Sequence, residues 1–249
     1  MSNAFSLSGR VFLITGATSG IGYQSVLLLY EMGCIIYAVG RNVERLNLLR
    51  DYGKGKIIPI KADLLSDTYV EDITVNLNHQ INGFIHCAGV VNSVPLNFIR
   101  PLIFDNERRI NYDSFVFILQ RLIKSGRIDK RSSIVALASI AAHFGSVGHT
   151  IYSGNKGALV STIRVLAKEL AVKGIRVNSI SPGMVRTEMA NEITLRVSNE
   201  GMALDESKYP LGYGTPLNIA HLIVFLLSDA SAWITGQDIV IDGGRTCYV

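Results

Sequence analysis

The stretch Val11-Phe12-Leu13-Ile14-Thr15-Gly16-Ala17-Thr18-Ser19-Gly20-Ile21-Gly22 decides how this chain is read. Four apolar residues and a threonine predict a short strand covered on both faces. The glycines then predict a tight turn into a helical pattern near Ile21–Met32. Glycines there let the backbone approach a pyrophosphate, whose charge faces the N-terminus of the following helix. A glycine-rich turn is weak evidence alone; between a first strand and a first helix it has the context it needs. Gly16, Thr18, Ser19, Gly20, Ile21 and Gly22 are therefore expected to hold a dinucleotide.

Working outward, further strands are predicted at Cys34–Val39, Ile57–Ile60, Gly83–His86, Ser133–Ala138, Arg176–Ile180 and Asp238–Ile241. Helical patterns lie near Val43–Asp51, Thr68–Asn78, Phe104–Ser125, Ser153–Lys173 and Leu217–Leu227. This alternation predicts an α/β fold: one doubly wound Rossmann-type domain over residues 1–249, with a mostly parallel seven-stranded sheet and helices on both faces. One stretch breaks the rhythm. Thr187–Gly214 carries Met189, Ile193, Leu195, Met202 and Leu204 among polar residues, and a loop that long inside a domain suits a substrate lid.

The 249 residues are 48% hydrophobic and only 18% charged, with mean hydropathy +0.30, which excludes a disordered chain. Such apolarity suits strands buried on both faces or a surface hidden in an oligomer. Cys34, Cys87 and Cys247 are too few and too scattered for a disulfide framework or a CxxC metal site, so no metal is expected. An odd number of thiols suits a reducing cytoplasm. No apolar run approaches a membrane span, and Met1–Arg10 lacks the pattern of a signal peptide, so a soluble cytoplasmic protein is expected. The net charge of +4 and pI near 9.0 raise nucleic acid as a partner. The basic residues are dispersed, however, and an ordinary mixed surface is the better account.

Cofactor choice is read after the second strand, where Gly40-Arg41-Asn42 stands in place of an acidic residue. A guanidinium suits a 2′-phosphate, and no carboxylate repels it, so NADP(H) is favoured over NAD(H). A solvated surface arginine is the bland alternative. Asp63, in Lys61-Ala62-Asp63-Leu64, either bonds an adenine amino group or caps the next helix.

Tyr152 and Lys156 lie one turn apart on one helix face, and Ser139 follows a strand thirteen positions earlier. A phenol titrates near 10, and a nearby ammonium favours the phenolate and brings it toward the working range. A serine hydroxyl beside it can hold a reacting carbonyl oxygen. Each residue is ordinary alone; the combination points to proton transfer beside a nucleotide.

Taken together, these motifs resemble the short-chain dehydrogenase/reductase family in its compact single-domain branch, close to its 3-oxoacyl-carrier-protein reductase-like members. The resemblance runs from Thr15–Gly22 through Asp63, Ala88-Gly89, Asn111, Ser139, Tyr152, Lys156, Pro182-Gly183 and Thr187 to Asp242-Gly243-Gly244. It implies an NADP-dependent oxidoreductase interconverting a carbonyl and an alcohol. In that scheme Tyr152 is the acid–base, Lys156 lowers its pKa and bonds the cofactor ribose, and Ser139 orients the substrate. Asn111 would position a relay water. Leu64, Ala88 and Gly89 would join Asp63 along the cofactor, and Pro182, Gly183, Val185 and Thr187 would border the nicotinamide. It also implies a homo-oligomer, tetramer or dimer, paired through the helix at Ser153–Lys173 and the C-terminal segment.

The chain departs from the family at three places. His86-Cys87 replaces the usual Asn-Asn, so bonding between strands is expected to differ, with Cys87 a small core residue. Tyr213 stands where acyl-carrier-linked reductases commonly carry arginine, and Asn218 replaces a common acidic residue. Both argue against transferring an acyl substrate directly. His143, Phe144, Val147 and His149, with Met184, Met189 and the lid, are expected to line the substrate pocket. A small-molecule carbonyl or alcohol is the expected partner: a 3-oxoacyl thioester, a steroid, a sugar derivative or a small ketone. A protein of the same fold that senses NADP without catalysis is the alternative, against which the full Asn111, Ser139, Tyr152 and Lys156 set argues.

Overall fold

The computed structural model describes residues 3–190 and 199–247. Strand β1, Val11–Thr15, is buried along its whole length and pairs in parallel with both β2 (Ile35–Gly40) and β4 (Ile81–His86). With β3 (Ile57–Lys61), β5 (Ile128–Leu137), β6 (Arg176–Pro182) and β7 (Asp238–Ile241), it forms one all-parallel sheet in the order β3-β2-β1-β4-β5-β6-β7. The chain winds outward from β1 to β3, then returns to the other side of β1. That reversal opens a crevice at the carboxyl ends of β1 and β4.

Alternation along each strand supplies two cores. Val11, Leu13, Tyr37, Val39 and Phe84 face one layer, whereas Phe12, Ile14, Ile36, Ala38 and Ile85 face the other. The first layer is covered by α4 (Pro101–Arg108), α5 (Ser114–Lys124) and α6 (Thr150–Leu170), with α3 (Tyr69–Thr74) at its edge. The second is covered by α1 (Gly20–Glu31), α2 (Val43–Gly53) and α8 (Pro216–Leu227). Burial on both faces is why the strands read as continuous apolar runs.

Three expected elements differ, each for a physical reason. The helix expected at Thr68–Asn78 closes at Thr74, because the N–H groups of Asn78 and His79 donate to the buried Tyr37 hydroxyl instead of continuing the helix. The helix expected at Phe104–Ser125 begins earlier, with Pro101 in its first turn, and is interrupted at Arg109–Asp113 by a π-helical turn. Strand β5 starts five residues early, at Ile128, through an irregularity where Arg131 has φ 61° and the β4–β5 register shifts. Within Thr187–Gly214 the structure adds a helix, α7 (Asn199–Glu206), which the sequence reading left as loop. Ile193 and Leu195 of that stretch lie outside the described residues. No described helix is long and apolar enough to cross a membrane.

Phe84 is fully buried, stacked on Phe115 at 5.9 Å and edge-on to His86 at 6.0 Å. Phe84→Ala is expected to cost about 3–5 kcal/mol of stability in chemical denaturation, as the sheet cannot collapse into the void.

Candidate active site

The glycine turn is shaped by contacts that a side chain would prevent. Gly16 has φ 67°, and a Cβ there would lie 2.7 Å from the backbone N of Ala88. At Gly22 a Cβ would meet the Gly16 carbonyl oxygen, so α1 can press onto the turn only without one. Ser19 is extended and caps α1 without a side-chain bond, and the first turn holds no acidic residue. The N–H groups of that turn and the positive end of the helix therefore face the crevice. Gly20, at φ 51°, lies beneath the Thr187 side chain.

The crevice has a volume of about 460 Å³. Of the residues expected to hold the cofactor, Gly16, Thr18, Ser19, Arg41, Asn42, Asp63, Leu64, Ala88 and Gly89 line it, whereas Gly20, Ile21 and Gly22 do not. Asn42 also caps α2, accepting from the N–H of Arg45 at 3.0 Å. Asp63 does not cap the next helix, which begins after Thr68; its carboxylate accepts from the N–H of Leu65 at 3.1 Å, closing a local turn. Arg41 is exposed, with no hydrogen bond or ion pair among the described residues. Arg45, which sequence reasoning missed, is committed: its guanidinium bonds the Thr18 carbonyl at 3.1 Å and pairs with Glu188 at 2.8 Å.

Beside the crevice is a second cavity of about 360 Å³, where Ser139, Tyr152 and Lys156 share a wall. Ile21, Gly89, Pro182, Gly183, Val185 and Thr187 also line it, and Gly89 lines the crevice as well. Ser139 sits two residues past the end of β5, where its Oγ accepts from the N–H of Ala141 at 3.1 Å and anchors a 3₁₀ turn. Tyr152 and Lys156 come from the first two turns of α6, which begins at Thr150. The Lys156 ammonium donates to the Leu137 carbonyl at 2.7 Å and lies 5.6 Å from the Tyr152 ring centre.

Asn111 lies inside the π-helical turn, fully buried, and outside both cavity linings. Its Oδ1 accepts from the N–H of Val90 and its Nδ2 donates to the Val90 carbonyl, both at 2.8 Å. A Cβ on Gly89 would lie 3.2 Å from Asn111 Oδ1 and 3.5 Å from Lys156 Nζ, so the glycine leaves a gap between the two. Glu107, one turn before Asn111, was not singled out by sequence. It is fully buried; one oxygen accepts from Asn92 N and Nδ2 at 3.1 and 2.8 Å, and Oε1 has no partner.

Burial dominates the electrostatics. It pushes Tyr152 up to about 12, while a hydrogen bond from Ser139 works the other way and the Glu107 charge adds to the rise. Burial also pushes Lys156 down to about 8, with Cys87 and Glu107 opposing. This corrects the expectation that the phenol is brought toward the working range: it is raised instead, with desolvation of the phenolate the largest cause. Glu107 is raised, chiefly by burial.

The replaced asparagines are accounted for. His86 is the register partner of Thr15 across β1 and β4, and its Nδ1 bonds the Thr15 hydroxyl at 2.8 Å. Burial holds its pKa at about 3, so the ring is neutral and knits the strands as an amide would. Cys87 is raised by burial to about 12, an unreactive thiol. Tyr213 donates its hydroxyl to Asp205 at 2.9 Å, and Asn218 Oδ1 accepts from Thr215 N and Oγ1 at the start of α8.

On the substrate side Phe144, His149, Met184 and Met189 line the cavity as expected. Val147 and His143 do not. Val147 is 97% exposed at the tip of its loop, and His143 turns to Asp238, 2.6 Å away, tying the loop to β7. The structure adds Asp205, Tyr209 and Arg245, which arrive from α7, the loop after it and the segment after β7. Arg245 is brought there by the return of the chain end, where it meets the Tyr209 ring, a contact without local sequence signal.

A family model described as enoyl-(acyl carrier protein) reductase matches residues 16–246. The 3-oxoacyl-[acyl-carrier-protein] reductase FabG of Thermotoga maritima is 30% identical over 245 residues, covering 96% of this chain and 98% of that protein. A short-chain type dehydrogenase/reductase structure from Mycobacterium marinum is 32% identical with a TM-score of 0.87, over 98% of each chain. A Beutenbergia cavernae structure with bound NADP is 27% identical with a TM-score of 0.89, over 98% of this chain and 100% of that one. A family match from the first glycine of the turn to the residues after β7, with relatives alike over nearly the whole chain, shows that this chain belongs to the short-chain dehydrogenase/reductase family, nicotinamide-dependent oxidoreductases of CH–OH and C=O groups.

Proposed function

We propose that the protein is an NADP(H)-dependent oxidoreductase that interconverts a small-molecule carbonyl and its alcohol, with Tyr152 as the acid–base. One observation carries this reading: Ser139, Tyr152 and Lys156 share the wall of a cavity that adjoins the glycine-turn crevice. The crevice suits a dinucleotide, since the space kept clear by Gly16 and Gly22 brings the backbone and a helix N-terminus to its floor. When bound, the cofactor supplies or accepts the hydride.

The chain's own residues manage the proton. In the reducing direction the Tyr152 hydroxyl donates to the substrate oxygen, which the Ser139 hydroxyl holds in place. A phenol at about 12 is protonated at neutral pH, as that donation requires. Lys156, fixed by the Leu137 carbonyl, orients the sugar of the nucleotide and supplies positive charge as the phenolate forms. Asn111 and Gly89 frame the gap beside Lys156, where a water would carry the replacement proton. Segment 187–214 acts as a lid on the single domain formed by residues 1–249. The protein is cytoplasmic and assembles into a homodimer or homotetramer; the exposed Leu102, Phe104, Phe117 and Trp233 support assembly. A 3-oxoacyl thioester is one substrate consistent with the relatives' names.

Tyr152→Phe is expected to lower turnover about 10²–10⁴-fold while the affinity for NADPH stays within about twofold. Turnover equal to wild type in that variant removes the acid–base role, and NADPH binding without turnover in the wild type supports a sensor instead. Among the described residues lining the crevice Arg41 is the cation without a partner, so Arg41→Ala should weaken NADPH about 10–150-fold, the range for a hydrogen bond to a charged group. NADH affinity should change little. Fluorescence titration of both cofactors reads this; equal loss for both removes the NADP assignment.

The pH dependence follows from the two shifts. Carbonyl reduction needs Lys156 charged and Tyr152 protonated, so kcat/KM should fall above about pH 8, where Lys156 loses its proton, well before the phenol titrates. In Lys156→Arg the cation persists, and the residual activity should lack that descending limb in a pH–rate profile.

A further inference from the structure

Only two cations line the 360 Å³ cavity among the described residues, Lys156 and Arg245. Lys156 is committed to the Leu137 carbonyl. Arg245 is uncommitted: its side chain makes no hydrogen bond and no ion pair within the described residues. It is held instead by two aromatic rings, with its guanidinium carbon 5.2 Å from the centre of Phe144 and 5.8 Å from that of Tyr209. Contacts of this kind position a guanidinium without using its five N–H donors.

The nearby carboxylates do not neutralise it. Asp242 is tied to the N–H groups of Gly244 and Thr246 at 3.0 and 2.7 Å. Asp205, on the same cavity wall, accepts from Tyr213 at 2.9 Å and lies 3.5 Å from the Lys208 ammonium. His149 is held toward its neutral form by burial. A fixed, half-buried fork of donors therefore faces the space in which the substrate of Ser139 and Tyr152 must lie. Part of that space adjoins the cofactor crevice at Gly89, which lines both, so what remains suits a compact molecule.

We propose that the substrate is a short oxo or hydroxy compound with a terminal oxyanion, carboxylate or phosphate, and that Arg245 is the residue that binds it. This rests on the oxidoreductase reading above and adds the substrate class and a specificity-determining residue. The bidentate fork fixes the anionic end and thereby sets which carbonyl reaches Tyr152. Phe144 and Tyr209 serve as positioning residues for the guanidinium.

The test pairs charged substrates with neutral counterparts, using NADPH. The probes are 2-oxobutanoate, 3-oxobutanoate and 4-oxopentanoate with their methyl esters, and hydroxyacetone phosphate with hydroxyacetone. At least one anion should exceed its neutral partner about 10–150-fold in kcat/KM, the range for hydrogen bonds to a charged group. Arg245→Gln should abolish that preference while the neutral partner stays within about threefold, and Arg245→Lys should keep part of it. The carboxylate and phosphate arms separate the two sources of the anion.

Calorimetric titration of the same anions into the NADP⁺ complex of wild type and Arg245→Gln gives a readout independent of turnover. Anions that bind through Arg245 without being reduced count against the oxidoreductase reading and leave the clamp standing. Neutral carbonyls used as well as the anions, equal losses on both in Arg245→Gln, or no anion binding in the titration each overturn the clamp. NADPH affinity and circular dichroism of both variants report whether the fold survives.

Discussion

A Cβ on Gly16 would lie 2.7 Å from the backbone N of Ala88, and one on Gly22 would run into the Gly16 carbonyl. These close approaches at the end of β1 allow three things to meet: the turn, the N-terminus of α1 and the loop leaving β4. The Thr15–His86 bond locks the same two strand ends together from below. Because β1 and β4 flank the point where the winding reverses, helices cannot cover the space above them. The crevice is thus a product of strand order, and its floor is a product of absent side chains. Everything at the site is built outward from that junction: Gly89 and Val90 follow it directly, and Asn111 is tied to Val90.

A second constraint is the cost of charge in a dry wall. Burial moves the Tyr152 phenol up and the Lys156 ammonium down, so both favour their neutral forms. The burial that makes the fold stable therefore keeps the phenol protonated at neutral pH. Glu107 shares this environment and is raised as well, with Asn92 bonding only one of its oxygens. The π-helical turn that follows it departs from regular helix where Asn111 must bond the loop after β4. Such turns occur often at functional sites, because they re-aim side chains without ending the helix.

The order of the elements was legible because burial on both faces writes itself as uninterrupted apolar runs, and all seven strands were found within a few residues. What escaped were local events decided by partners distant in sequence. Tyr37 takes the N–H groups of Asn78 and His79 and shortens a helix that periodicity extends. Asp238 takes His143 away from the cavity, and the tip of the same loop leaves Val147 in solvent. Neither outcome has a signature in the residues beside it.

The amino-acid sequence alone determined the sheet, the glycine turn, the Ser139, Tyr152 and Lys156 wall and the family, since each depends on residue type at short spacing or on alternation along a strand. Only the tertiary structure decided which charges are spent and which are free. Arg41 and Arg45 are four residues apart and chemically alike, yet Glu188 engages one and leaves the other open. Arg245 enters the cavity because the segment after β7 returns to the loop that follows β5, more than a hundred residues away in sequence. Charge and hydrogen-bonding capacity are properties of a residue; whether they are already satisfied is a property of the fold.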